Sequence, residues 1–225
     1  MKPFDLDDVD RLLTTTKAVR RRLDLTRPVE RNLIVDCIRL AAYAPNASNG
    51  QEWKWIVVDD PVLRRRCGEQ YRRMTVPPVS RMLESKLAEG DQAGARISRS
   101  IIYLAEHMGE VPALVFPCYD VGAADQRYSR LLHQAEGAGV MTSGMYASIY
   151  PAVWSFQLAL RSRGLGSVLT TAHQGDQAAI AAILGIPESW DQTCMIPVAY
   201  TTGGDFTPSP RRPVTETIIW NRVGR

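Results

Sequence analysis

The sequence predicts an α/β sandwich: a single domain over residues 1–225 in which a central sheet of four to five short strands is flanked by helices. Two observations predict it. Segments of helical period alternate with short apolar runs of strand length. No break in composition divides the 225 residues into two parts. An excursion around residues 75–146, helical and lid-like, interrupts the otherwise regular alternation.

The elements follow in order. Asp5 or Asp7 caps a first helix that runs to about Thr15. A basic turn, Lys17-Ala18-Val19-Arg20-Arg21-Arg22-Leu23, comes next. Pro28 lies near the first turn of a second helix, whose stripe Leu33, Cys37, Leu40, Ala41 and Ala44 faces the core until Pro45 stops it. Trp55 to Val58 is a buried strand. Pro61 starts a helix to about Met74, and the proline-punctuated stretch from Thr75 to Gly90 belongs to the excursion. Gln92 to Met108 is helical and Ala113 to Tyr119 is a second buried strand.

Gly122 to Tyr146 is Gly-rich and weakly patterned, with a mobile tip expected at Glu136-Gly137-Ala138-Gly139. Pro151 to Arg163 is a helix stopped by Gly164. Ser167 to Thr171 is a third strand, Gly175 to Leu184 a short helix, and Thr193 to Tyr200 a fourth strand. The tail from Val214 to Trp220 is apolar and β-prone. It has no partner nearby in sequence, so it pairs far away or with a second subunit. Pattern alone does not give the strand order.

Composition excludes several classes. The chain is 45% hydrophobic and 23% charged, so it has an ordinary globular core, and its five Trp, eight Tyr and four Phe supply rings to line a pocket. A formal net charge of +3 is too weak for a nucleic-acid surface. No run approaches the roughly 20 apolar residues of a membrane-spanning helix. The acidic start, Asp5-Leu6-Asp7-Asp8, lacks the apolar run of a signal peptide. Cys37, Cys118 and Cys194 sit among apolar residues as buried thiols, which suits a reducing compartment. These features give a cytoplasmic protein that binds neither nucleic acid nor membrane.

The chemistry-bearing motifs are mostly absent. His107, His133 and His173 are far apart and lack metal-ligand spacing. There is no GxSxG elbow, no Cys–His spacing, no GxGxxG after a strand and no Walker loop. Gly164-Leu165-Gly166 ends a helix and starts a strand, the reverse of a phosphate loop. What remains is a set of arginines, aromatics and amide-rich loops. The richest is Ala44-Pro45-Asn46-Ala47-Ser48-Asn49-Gly50-Gln51-Glu52-Trp53, at a helix-to-strand junction where a bland turn would serve. Its amides and hydroxyl suit a planar heterocycle. Such a chain fits a site whose chemistry belongs to a bound organic cofactor. Lys17, Arg20 and Arg21 near the start, and Arg211 and Arg212 near the end, are the candidate forks for its phosphate.

Several blocks, in the family's order, resemble those of the FMN-dependent nitroreductase family. Lys17-Ala18-Val19-Arg20 resembles its R-S-x-R block, and Ala44 to Trp53 its A-P-S-x-x-N-x-Q-P-W block. Gly164-Leu165-Gly166-Ser167-Val168-Leu169-Thr170-Thr171 is similar to its G-L-G-S strand. Ile186-Pro187-Glu188 and Ile196 to Tyr200 resemble its I-P-E and I-x-L-G-Y segments, and Pro210-Arg211-Arg212-Pro213-Val214-Thr215-Glu216 its R-x-P-x-x-E element. The resemblance implies an α+β nitroreductase-like sandwich on a mainly antiparallel sheet. It also implies a homodimer whose C-terminal segment crosses to the partner's sheet, with FMN between the chains.

Residue by residue, the resemblance places Lys17 and Arg20, with Arg21 beside them, at the FMN phosphate, ribityl chain or ring edge. Ala18 stands where the family has Ser. Pro45, Asn46, Ala47 and Asn49 would embrace the flavin, Gln51 would brace the loop, and Glu52 stands where the family has Pro. Ser148, in Ser148-Ile149-Tyr150-Pro151, would help wall the flavin. Leu169, Thr170 and Thr171 would run beside the isoalloxazine and offer N5 a backbone N–H. Arg212, and less closely Arg211, would hold the phosphate. No catalytic side chain and no metal is implied, because the flavin carries the chemistry. The implied activity is hydride transfer from NADH or NADPH through FMN to a small organic acceptor such as a nitroaromatic or quinone. The alternative is an FMN storage or sensing protein with little turnover, which the departures at Ala18 and Glu52 motivate.

Overall fold

A computed structural model of the chain describes residues 3–132 and 138–223, with side chains described outside 127–142. Of the expected tip, Glu136 and Gly137 lie outside the described residues, as does His133.

The sheet is built on β2 (Ala113–Asp120), whose burial is nearly unbroken along its length. β1 (Trp53–Val58) pairs with one edge of β2 and β5 (Ile196–Tyr200) with the other. β3 (Leu165–Ser167) lies beyond β5, and the short β4 (Trp190–Gln192) extends β2 at Cys118–Asp120. All of these pairings are antiparallel, in the order β1-β2-β5-β3. Alternate residues of β2 enter opposite cores, as the period of two requires. Leu114, Phe116 and Cys118 enter one core with residues of α3 (Pro61–Ala88), α4 (Gln92–His107) and α7 (Gln177–Leu184). Ala113, Val115 and Tyr119 enter the other, against α2 (Arg31–Ala41) and α6 (Ala138–Arg161). The outcome is a helix–sheet–helix sandwich. The remaining helices are α1 (Leu6–Thr15), capped by the Asp5 carboxylate at the Asp8 N–H, and α5 (Val121–Leu132).

Several boundaries differ from the sequence reading, each for a physical reason. Cys37, Ala41 and Ala44 of the predicted stripe are buried, but Ile34 takes the place of the half-buried Leu33, and Leu40 is exposed. Pro28 precedes that helix instead of entering it. β1 is half-buried, because it is an edge strand. The helix beginning at Pro61 does not end at Met74. It continues through Pro77 and Pro78 to Ala88, with α4 folding back beside it after a left-handed turn at Gly90. Tertiary packing of Cys67, Tyr71 and Thr75 overrides the local cost of the prolines. Gly122 to Tyr146 is likewise mainly helical where described, and α6 carries Pro151 in its interior. The expected third strand, Ser167 to Thr171, lies earlier, at Leu165–Ser167, and the expected fourth begins at Ile196 instead of Thr193. β4 precedes that range, and between β4 and β5 the Thr193 N–H and hydroxyl both donate to the Pro117 carbonyl. The tail forms a short 3-10 turn at Val214–Glu216, not a strand, and Val214, Ile219 and Trp220 are exposed.

One contact strip positions the site. The basic turn lies along the free edge of β3 and the end of β5: the Val19 N–H donates to the Ser167 carbonyl at 2.9 Å and the Asp24 N–H to the Tyr200 carbonyl at 2.8 Å. Gly166 allows this approach. A Cβ there would lie 2.6 Å from Thr201 Cγ2 and 3.0 Å from Val19 Cγ1. Gly166→Ala should therefore destabilise the fold by about 1–3 kcal/mol through overpacking, read as a lowered midpoint of denaturant unfolding.

Candidate functional site

Two groups of candidate residues emerge, on opposite layers of the sandwich. The first is centred on Arg20. This side chain is half-buried, and burial pulls its guanidinium below the ordinary arginine range, with the Tyr71 hydroxyl acting the other way. No carboxylate among the described residues pairs with it. Tyr71 is a buried residue of α3 whose hydroxyl shares a 2.8 Å hydrogen bond with Thr170 Oγ1. Arg20, Tyr71 and the irregular segment Leu169-Thr170-Thr171 that follows β3 thus form one corner. A desolvated cation without an anion is electrostatically incomplete, which makes the corner suited to a phosphate or another electron-rich group. The Thr170 N–H donates to the Met195 carbonyl at 3.0 Å. Leu169 and Thr171, both exposed, flank this isolated bridge and lie outside its pairing.

The rest of the basic turn is dispersed. Lys17 Nζ donates to the Thr207 carbonyl at 2.8 Å and lies 5.9 Å from the Phe206 ring centre. Arg21 is exposed and stacks at 5.0 Å over Tyr103 of α4. Arg22 donates to the Thr202 carbonyl at 2.7 Å and to the Gly204 carbonyl, and lies 4.1 Å over Phe206. Arg161 approaches the same ring at 5.2 Å. These cation–π and carbonyl contacts fasten the base of the C-terminal tail. Arg211 and Arg212 are exposed, and the contact seen for Arg211 is to the neighbouring Pro210 carbonyl. The chain does not bring them to Arg20. Tyr71, Arg22 and Arg161 were missed from sequence, because each acts over a long separation that no local motif signals.

The second group is the loop after α2. Ser48, Asn49 and Gln51 have φ of 51°, 51° and 59°. Left-handed backbone costs a non-glycine residue roughly 1–3 kcal/mol, Asn less than most, so the loop must be held. The Gln51 N–H donates to Asn46 Oδ1 at 3.1 Å, and Gln51 Nε2 donates to Asn49 Oδ1 at 3.1 Å. That is the bracing expected of Gln51. The Ala47 N–H donates to Ser148 Oγ at 3.1 Å, and Ser148 Oγ donates to the Gly144 carbonyl at 2.7 Å, which ties the loop to α6. Pro45 and Asn49 are exposed and Asn46 is half-buried. The loop sits with α2 and α6, whereas Arg20 and Tyr71 sit with α3. One chain does not bring the two groups together.

The environment of the cysteines argues against thiolate chemistry. All four cysteines are free and buried, and burial pushes the Cys67 thiol up to about 11 and those of Cys118 and Cys194 to about 12, so none is a thiolate at neutral pH. Among the described residues no cluster of His, Cys, Asp or Glu is arranged to hold a metal ion, and no helix is long and apolar enough to cross a membrane.

With this geometry in place, comparison identifies the class. A sequence model of the Nitroreductase family matches residues 14–200, and the chain belongs to that family. Its fold is shared with iodotyrosine deiodinase bound to FMN and 3-iodo-L-tyrosine, at TM-score 0.68 and 20% identity over 98% of this chain and 100% of the other. A BluB-like flavoprotein from Clostridium difficile 630 aligns at TM-score 0.65 and 18% identity, again over 98% and 100%. A nitroreductase-like protein from Streptococcus mutans gives TM-score 0.64 and 18% identity with the same coverage. No curated protein matches the chain. These likenesses bear out the expected family and the antiparallel α/β sandwich.

His173 carries a pH prediction. It is fully buried, edge-on to Phe116 at 5.9 Å, with neither ring nitrogen hydrogen-bonded, and burial lowers its pKa from 6.5 to about 4. Between those values the unfolded chain binds the proton and the folded one does not, so stability is complete above pH 6.5 and falls as pH drops toward 4. The loss saturates near 3 kcal/mol, about 1.4 per pKa unit. His173→Leu should flatten this part of the stability–pH curve, measured by urea unfolding at pH 7 and pH 4.5.

Proposed function

We propose that the chain is an FMN-dependent oxidoreductase that takes hydride from NADH or NADPH and passes it to a small organic acceptor such as a nitroaromatic or quinone. The observation that carries this reading is the half-buried Arg20 guanidinium, which has no acid partner among the described residues and stands beside the Tyr71–Thr170 pair. Membership of the family supports it, as do flavoprotein neighbours, one of them solved with FMN. The residues fit such a cofactor. Arg20 supplies an uncommitted cation, the segment Leu169-Thr170-Thr171 after β3 supplies amides, and the loop Pro45, Asn46, Ala47 and Asn49 supplies a held surface rich in donors and acceptors.

When bound, FMN supplies the hydride chemistry. The chain's own residues bind and orient it. Arg20 neutralises negative charge at the phosphate, ribityl chain or ring edge. Leu169 or Thr171 offers the backbone N–H, because the amide of Thr170 is committed to Met195. Lys17 and Arg22 hold the base of the tail, so that Arg211 and Arg212 are free to reach a phosphate from beyond it. The two groups of site residues lie on opposite layers, which supports a cofactor shared between two copies of the chain. In that arrangement the exposed tail, including Ile219 and Trp220, crosses to the partner. We further propose that this homodimer works in the cytoplasm.

The purified protein should show flavin absorption bands, bleach anaerobically with NADH or NADPH, and recover colour on addition of a quinone. A colourless protein that binds no added FMN contradicts the proposal. A yellow protein that neither nucleotide bleaches favours the alternative of FMN storage or sensing. Arg20→Ala should weaken FMN binding by about 1.5–3 kcal/mol, the loss of a charge-assisted contact. Fluorescence-quenching titration measures it, and Arg212→Ala should behave similarly.

A further inference from the structure

We propose that Glu52 is a positioning residue that fixes the shape of the Asn46–Gln51 loop through its buried carboxylate. The inference rests on the proposed role of that loop in holding FMN. Glu52 is only 7% exposed, although a carboxylate ordinarily seeks water. Its position is fixed from two sides. The Tyr119 hydroxyl, carried by the buried strand β2, donates to Glu52 Oε2 at 3.3 Å. The Asp120 N–H donates to the Glu52 carbonyl at 2.8 Å, which extends the β1–β2 ladder by one bond toward the loop.

The fixed carboxylate then closes over the loop. It lies against the Cα of Gly50, where a Cβ would fall 2.6 Å from Glu52 Cδ and closer still to both carboxylate oxygens. Gly50 has an ordinary φ of −67°, so space and not backbone conformation requires glycine there. The Gly50 N–H donates to the Ala47 carbonyl at 2.9 Å, so the residue under the carboxylate also closes the turn that carries Ala47 and Asn49. Ser48, Asn49 and Gln51 hold positive φ on either side of this contact. Such backbone persists only where the surroundings over-determine it. The hydrogen bonds of Gln51 act inside the loop, whereas Glu52 connects it to the sheet. Without the carboxylate, the loop would spend less time in this shape. The apparent affinity for any ligand of the shape falls by that fraction.

The experiment compares wild type with Glu52→Ala, Glu52→Gln and Gly50→Ala, using FMN itself as the probe. Three quantities are read: FMN affinity by fluorescence quenching, hydrogen exchange of the loop amides without FMN, and melting temperature. Glu52→Ala and Gly50→Ala should each weaken FMN binding about tenfold or more and speed exchange in the loop. Glu52→Gln keeps the size and the acceptor for Tyr119, and should stay near wild type in both. The inference is overturned if Glu52→Ala lowers the melting temperature while FMN affinity and loop exchange are unchanged, because the residue would then serve the fold alone. Should the wild-type protein bind no FMN, the proposed function fails by itself, and the exchange data still decide whether Glu52 shapes the loop.

Discussion

The main-chain pairing of the basic turn with the free edge of the sheet is the contact on which the site depends. Val19 to Ser167 and Asp24 to Tyr200 are ordinary hydrogen bonds. Their effect is to set Arg20 at a half-buried position beside Tyr71, where a solvated turn would have left it in water. The Thr202 N–H returns a bond to the Arg22 carbonyl, so the start of the tail joins the same strip. Gly166 makes the approach possible, and the cations around Phe206 lock it from outside. Charge, the segment after β3 and tail base are thereby assembled from segments almost two hundred residues apart.

β2 determines how the two candidate groups are separated. Because its side chains alternate between two cores, each helical layer is built on its own set of β2 residues. Tyr71 approaches the segment after β3 from the α3 layer, and Ser148 holds the Asn46–Gln51 loop from the α6 layer. The sheet lies between them. This separation is the ground for the proposal that a cofactor using both groups is shared with a second copy of the chain.

Much of the fold was legible in the sequence. The helical stripes, the capping Asp5 and the apolar strand at Ala113–Tyr119 carry local periodic signals. Failures came where a distant partner decides. Pro77 and Pro78 mark a break in any local reading, yet α3 passes through them because Tyr71 and Thr75 are buried against the body. In the stripe of α2, Cys37, Ala41 and Ala44 were legible, but Leu33 was chosen over its equally apolar neighbour Ile34. At the site, the amide-rich loop and the arginine-rich turn stood out by composition. Their separation, the dispersal of Lys17 and Arg21, and the part played by Tyr71 did not, since these follow from the order of the strands. Glu52 was visible as a departure from the family pattern, and its burial beneath Gly50 was not.

The central claim is that flavin binding needs residues of two chains. Sedimentation velocity followed at flavin wavelengths, over a range of protein concentrations with FMN present, tests it most directly. FMN should travel with a species of twice the chain mass and leave it as dilution dissociates that species. Full-affinity FMN binding to the single chain would contradict the claim.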